Sequence, residues 1–203
     1  MANASQRLIW IDCEMTGLNL EKDKLMEIAC IVTEGDLETV DKTESIVIHL
    51  DDESLDNMHE WCVKQHGASG LTQACRESKV TCAEAERMVL DMVARHTVRG
   101  QCPLAGKYIR DNIGIVFRSR YDFILHAGTT VSQDRRFIDK YMPDLGAWVD
   151  HRTVDTTTIK ELTRRWYPEV LETRPEKNGD HRALGDIEDS IKELQYYMEK
   201  VFK

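Results

Sequence analysis

The feature that most constrains this chain comes near its start. An unbroken apolar run, Leu8, Ile9, Trp10 and Ile11, leads directly into Asp12 and Glu14. Such a run suits a strand buried on both faces, as found inside the sheet of an α/β protein. Residues 25–33 (LMEIACIVT) form a second run of this kind, and residues 46–50 a third. The polar connection 17–24 has hairpin length, so the chain is expected to open as a β-meander.

Helical patterns follow. Leu55, Met58, Trp61 and Cys62 are spaced for a helix over residues 55–65. Residues 81–94 carry a T-x-x-E capping box at Thr81 and Glu84, with an apolar stripe of Ala85, Met88, Val89, Met92 and Val93. Residues 102–105 and 153–155 read as short strands. Residues 136–141, 156–166 and 183–201 read as helices. Three meandering strands followed by alternating helices and strands predict one α/β domain with a mixed five-stranded sheet flanked by helices.

Composition narrows the function. The 203 residues carry 27 basic and 36 acidic side chains, a net charge of −9. That field opposes tracking along duplex DNA, but it suits a local cation site or a pocket for one short anion. No apolar run approaches the ~20 residues of a membrane span. The six cysteines form no C-x-x-C pair, which points to reduced thiols and a cytoplasmic setting. No targeting segment is evident; mitochondrial and nuclear settings stay open.

Three places could carry chemistry. On a strand, residues i and i+2 share a face, so Asp12 and Glu14 present adjacent carboxylates while Cys13 turns away. In His181-Arg182-Ala183-Leu184-Gly185-Asp186, a helix starting at Ala183 puts His181 on the preceding loop and Asp186 in the first turn, where both can face one site. Asp134 opens the third place. Taken singly, each has a plain structural explanation: a solvated strand end, a loop histidine, an acid at a helix start. Taken together, four carboxylates gathered at one end of a sheet repel one another unless cations lie between them. Two Mg²⁺ or Mn²⁺ ions are the chemistry that oxygen ligands favour, and such a pair serves in-line attack at phosphorus.

The residues quoted resemble the DEDDh group of 3′→5′ exonucleases, which have a ribonuclease H-like fold. Trp10-Ile11-Asp12-Cys13-Glu14-Met15-Thr16-Gly17-Leu18, Cys102-Pro103-Leu104-Ala105-Gly106, Arg164-Arg165-Trp166-Tyr167-Pro168 and His181-Arg182-Ala183-Leu184 are similar to the oligoribonuclease family in particular. The resemblance implies a homodimer that degrades very short RNA to 5′-mononucleotides. It assigns Asp12, Glu14, Asp134 and Asp186 to two metal ions and His181 to the general base. It matches Leu18 to a wedge between the two bases, and Trp61 and His66 to the base and phosphate pocket. Arg152 and Thr157 match a cap over the 5′ phosphate, and Thr130 matches a small hydroxyl residue near it. A charged dead end of that kind limits substrate length. His151 stands where the family has a tyrosine that reaches the partner protomer. Two other readings stay open: a related exonuclease trimming longer RNA or DNA, and an inactive binding protein.

One segment departs from the family. Residues 107–128 place 22 extra residues between the C-P-L-A-G strand and the approach to Asp134. Its borders, Gly-Lys-Tyr and Ala-Gly, are compatible with codons carrying the GT and AG of an intron. A translated retained intron or an error in gene prediction is one reading, and a lineage-specific loop the other. The expected organisation is one exonuclease domain over residues 1–203 with this atypical insertion.

Overall fold

The computed structural model describes residues 4–106, 130–175 and 182–202. The insertion at 107–128 and the candidate base His181 lie outside the described residues, as does the side chain of Thr130.

The described residues form a mixed sheet of six strands flanked by helices. β1 (Leu8–Met15), β2 (Leu25–Thr33) and β3 (Thr39–Lys42) run as an antiparallel meander, and the short β4 (Ile46–Val47) also pairs with β2. β5 (Pro103–Gly106) and β6 (Asp150–Asp155) continue the sheet parallel to β1. The order is β3-β2-β1-β5-β6, which puts β1 at the centre. The sheet thus has one strand more than the sequence pattern predicts. The addition is β3, whose Thr-Val-Asp-Lys sequence is half exposed at an edge and carries no apolar run. β4 is correspondingly shorter than the 46–50 run, although the Ile48 N–H still donates to the Met26 carbonyl at 2.8 Å.

The helical region after β4 is broken where one helix was expected. α1 (Asp52–Asp56) and α2 (Glu60–Ala68) are separated at Asn57-Met58-His59, and α3 (Leu71–Glu77) follows. His59 starts the second of these, accepting the Trp61 N–H on its Nδ1 at 3.2 Å. α4 (Cys82–His96) has the predicted capping box, with Thr81 Oγ1 accepting from the Glu84 N–H and the Glu84 carboxylate accepting from the Thr81 N–H. α5 (Thr130–Tyr141) begins six residues earlier than the pattern suggested. α6 (Pro143–Gly146), α7 (Thr156–Trp166), α8 (Pro168–Glu172) and α9 (Ala183–Lys200) complete the fold. α7 has the predicted bounds, but its cap is the carboxylate of Asp155, which accepts the Thr157 N–H at 2.9 Å.

Strand alternation divides the core between the two faces of the sheet. Ile9, Ile11, Cys13 and Met15 of β1 pack on one side with residues of α4, α5 and α6, among them Val89, Phe137 and Leu145. Trp10 points the other way, with Ala29 and Ile31 of β2 and Ala183, Ile187 and Ile191 of α9. Trp10 is fully buried, and its indole N–H donates to Thr33 Oγ1 at 3.0 Å, so no polar atom of the ring is left unmatched. Gly106 ends β5 where a Cβ would meet Val131 Cγ2 at 2.9 Å, so the close approach of β5 and α5 requires glycine there. All six cysteines are free thiols.

Candidate active site

By the same alternation that sends Cys13 to the α4–α5 side, Asp12 and Glu14 follow Trp10 onto the α9 side of β1. Asp186, in the first turn of α9, comes down to meet them. One carboxylate oxygen from each of Asp12, Glu14 and Asp186 lies within 4.8 Å of the others. Asp12 and Asp186 are buried. Burial first, then the charges of Asp12 and Asp186, pushes the Glu14 carboxyl well above the usual carboxylate range.

Asp134 stands apart from this trio but within the same field. It is not an acid at a helix start: α5 begins at Thr130, and Asp134 lies inside the helix. Its side chain is almost fully buried, and its Oδ1 has no hydrogen-bond partner among the described residues. Burial, followed by the charge of Asp12, raises its pKa well above the usual range. A buried carboxylate oxygen with no donor is costly. The three clustered carboxylates offer oxygen ligands, which fit a hard divalent cation.

Next to Glu14 lies His66 of α2, fully buried, with Nδ1 4.0 Å from Glu14 Oε2. Its Nε2 is 3.0 Å from the Met15 carbonyl. A carbonyl only accepts, so Nε2 carries a proton, and Nδ1 is the nitrogen turned toward the carboxylate. Trp61, one turn earlier on α2, meets the His66 ring edge-on at a centroid distance of 6.4 Å. Leu18, by contrast, is 43% exposed on the connection that follows β1. Its loop is tightly held: Asp23, itself buried, accepts from Thr16 Oγ1 at 3.1 Å and from the Asn19 N–H at 2.7 Å. From α5, Gln133 Nε2 donates to the Leu18 carbonyl at 3.0 Å, and the Tyr141 hydroxyl donates to the Asp23 carbonyl at 2.7 Å. The helix that carries Asp134 therefore also holds the loop that carries Leu18.

The remaining sequence candidates divide between the two ends of the sheet. Thr157 opens α7, beyond the end of β6 that pairs with Gly106, and so stands at the carboxylate end. Arg152 and His151 stand at the other end. Thr153 pairs with Leu104, which pairs with Ile9, so both lie level with the start of β1. Arg152 Nε donates to Asp150 Oδ1 at 2.7 Å, and the His151 side chain is 89% exposed. The structure brings Asp12, Glu14, Asp186 and His66 together and does not bring Arg152 or His151 to them.

Two supporting residues escaped the sequence reading. Asp23 was one. Glu27 was the other: it lies directly across from Glu14 on β2 and has no exposed surface. Its signal was present, an acid at the third position of a nine-residue strand that is otherwise almost wholly apolar.

Known proteins resemble the chain over most of its length. The RNase_T family, described as exonuclease, matches residues 9–118 and 121–194. The chain is 43% identical over 199 residues to the mitochondrial oligoribonuclease of Homo sapiens, covering 98% of this chain and 75% of that protein. It is 44% identical over 197 residues to the oligoribonuclease of Marinobacter nauticus, covering 97% of each. Among solved structures, an Exonuclease I from Methylocaldum szegediense superposes with a TM-score of 0.60 at 18% identity. E. coli Exonuclease I in complex with a 5cy-dT13 oligonucleotide superposes with 0.65 at 14%. The chain spans 41% of the length of each of these two, and the likeness is one of fold.

Proposed function

The chain belongs to the oligoribonuclease family of exonucleases, and on that basis we propose that it hydrolyses very short RNA from the 3′ end to 5′-mononucleotides. The observation that carries the reading is the meeting of Asp12, Glu14 and Asp186 at the end of the central strand, with buried Asp134 beside Asp12. In this reading the four carboxylates hold two divalent cations, Mg²⁺ or Mn²⁺. Such a pair supplies the positive charge that in-line displacement at phosphorus requires.

The chain's own groups do the rest. His181 takes the proton of the attacking water as general base. Leu18, half exposed on a rigid loop, presents an apolar edge against which a base stacks, and Trp61 beside His66 presents an aromatic one. Thr157 and, from a second protomer, Arg152 cap the 5′ phosphate, with Thr130 near it, which leaves no room for a third nucleotide upstream. Arg152 and His151 lie at the far end of the sheet from their own chain's carboxylates, which supports a homodimer in which this end serves a second protomer. The net charge of −9 fits a substrate with few phosphates. No helix among the described residues is long and apolar enough to cross a membrane. The free thiols are consistent with a reducing compartment, with the cytoplasm as the proposed location.

The test incubates purified protein with a labelled RNA dinucleotide and a labelled ~20-mer, each with Mn²⁺ and with chelator. Rapid, chelator-sensitive loss of the dinucleotide over the longer RNA supports the proposal. Faster attack on the 20-mer assigns the chain to end-trimming, and no cleavage of either assigns it to binding.

A further inference from the structure

Glu27 has no exposed surface and lies on β2 opposite Glu14. Burying an acid there is costly unless it is paired. Its partners all come from the start of α9. Arg182 Nε donates to Glu27 Oε1 at 2.9 Å and to Oε2 at 3.2 Å, and Arg182 Nη2 donates to Oε1 as well. The Ala183 N–H donates to Oε2 at 3.0 Å.

This last bond substitutes for a missing helix cap. The residue at the cap position of α9 is Arg182, whose side chain makes no capping bond. The first N–H groups of a helix need an acceptor, and the positive end of the helix favours a negative one. Glu27 supplies both from a neighbouring strand. The apolar contacts of Ala183, Ile187 and Ile191 with Trp10, Ala29 and Ile31 hold α9 against the sheet. Those contacts are non-directional and leave rotation and sliding of the first turn weakly defined. The bonds to Glu27 are directional. Asp186 belongs to the same turn, with its N–H on the Arg182 carbonyl at 3.0 Å.

We infer that Glu27 is a positioning residue: through Arg182 and the Ala183 N–H it sets the first turn of α9 so that Asp186 meets Asp12 and Glu14. The inference rests on the proposed function, because it gives the trio a cation to hold. Arg182 also balances the charge of Glu27, so the glutamate adds a support without adding a fifth uncompensated carboxylate to the site.

The test compares wild type with Glu27→Gln and Arg182→Lys by three measurements. These are thermal melting in chelator, Mn²⁺ affinity by calorimetry, and kcat and KM on a 5′-phosphorylated RNA dinucleotide. Gln keeps the shape but presents an NH₂ group where Arg182 or Ala183 donates. The expected result for Glu27→Gln is a cooperative melt and Mn²⁺ affinity weakened by about 10–100-fold, the usual cost of losing an outer-shell support. Its kcat should fall in step while KM stays within about twofold, because no substrate contact is lost. Arg182→Lys retains the charge and the Ala183 bond and should fall between wild type and Glu27→Gln. A Glu27→Gln protein that melts lower yet binds Mn²⁺ and turns over like wild type overturns the inference, since Glu27 would then only stabilise the fold. If Glu27→Gln does not fold, unchanged Mn²⁺ affinity in Arg182→Lys overturns it and weakened affinity supports it. Wild type that binds Mn²⁺ but leaves the dinucleotide intact refutes the proposed function, and the Mn²⁺ titration alone then decides for or against Glu27. Wild type that binds no Mn²⁺ overturns both.

Discussion

Glu14 and Glu27 face each other across the β1–β2 pair, and among the described residues Glu27 alone is met by an arginine. Like charges directly opposite on a sheet are destabilising. Arg182 settles half of that conflict, and the unsettled half is the Glu14 carboxyl, which sits among Asp12 and Asp186 with its pKa raised. Arg182 thus pairs with the supporting Glu27, and the Glu14 carboxyl is left in the cluster with Asp12 and Asp186, where a cation would favour its charged form.

Removal of one of these charges should separate stability from activity. Asp12→Asn and Asp134→Asn are each expected to abolish dinucleotide hydrolysis. In chelator each should melt at or above the wild-type temperature, because a neutral amide relieves like-charge repulsion at a buried position. Turnover on a labelled dinucleotide and melting in chelator check this. Near-wild-type turnover in either variant refutes the four-carboxylate site.

A second expectation concerns His181. If it is the base, turnover should rise with pH as the imidazole becomes neutral. His181→Ala should lose roughly 10²–10⁴-fold in kcat with Mn²⁺ affinity retained. Lost Mn²⁺ affinity would instead make His181 a ligand or a support.

Gly17 tests the loop that presents Leu18. A Cβ there would lie 2.4 Å from Asp23 Oδ2. Asp23 cannot swing aside freely, because Thr16 Oγ1 and the Asn19 N–H both donate to it. Gly17→Ala should therefore displace the loop and destabilise the protein by about 1–3 kcal/mol, the usual cost of overpacking. If Leu18 contacts the bases, KM for the dinucleotide should rise as well. An unchanged melting temperature and KM would show that the loop yields without consequence.

The far end of the sheet gives a pH test. Arg152, through its side chain and its backbone N–H, holds the Asp150 carboxyl down at about 2. The unfolded reference is ~3.9, so the folded pKa is depressed. Stabilisation from this pair is then fully present above pH ~4 and lost as pH falls toward 2. The melting temperatures of wild type and Asp150→Asn should converge over that window. A constant difference between them would show that the pair contributes nothing through its ionisation.

What the sequence disclosed and what it hid follow one physical division. Patterns set by a single element were legible: the alternation that separates Asp12 and Glu14 from Cys13, the Thr81–Glu84 capping box, and the start of α9 at Ala183. Features that depend on a second element were not. β3 is a polar edge strand that pairs with the neighbouring β2 and is tied to α4 through His96 and Asp41. The early start of α5 depends on Val131 packing against Gly106, which the local sequence does not announce. Glu27 does its work through partners 155 and 156 residues away. For Asp12, Glu14 and Asp186 the residue types suggested the site, and the crossing of β1 and α9 brought them together.

The last prediction concerns residues 107–128 and follows from the residues on either side of them. Gly106 and Val131 are in direct contact: a Cβ on Gly106 would lie 2.9 Å from Val131 Cγ2 and 4.0 Å from its Cβ. The chain therefore leaves the described structure and returns to it at adjacent points. Thr129 and Thr130 alone have more than enough reach to join those points, since each residue spans up to ~3.6 Å. Shortening a connection several-fold changes its closure entropy by only about 1–2 kcal/mol, in the direction of stability. The deletion variant Δ107–128 should fold, melt at or above the wild-type temperature, and cleave the dinucleotide at least as fast as the full chain. That outcome favours the retained-intron reading. Catalysis is the stricter test, because Asp134 follows the junction closely and a misplacement of ~1 Å can cost ~10²-fold. A deletion variant that folds but loses an activity the full chain possesses would show that the segment helps to set Asp134. The lineage-specific loop would then be the correct reading.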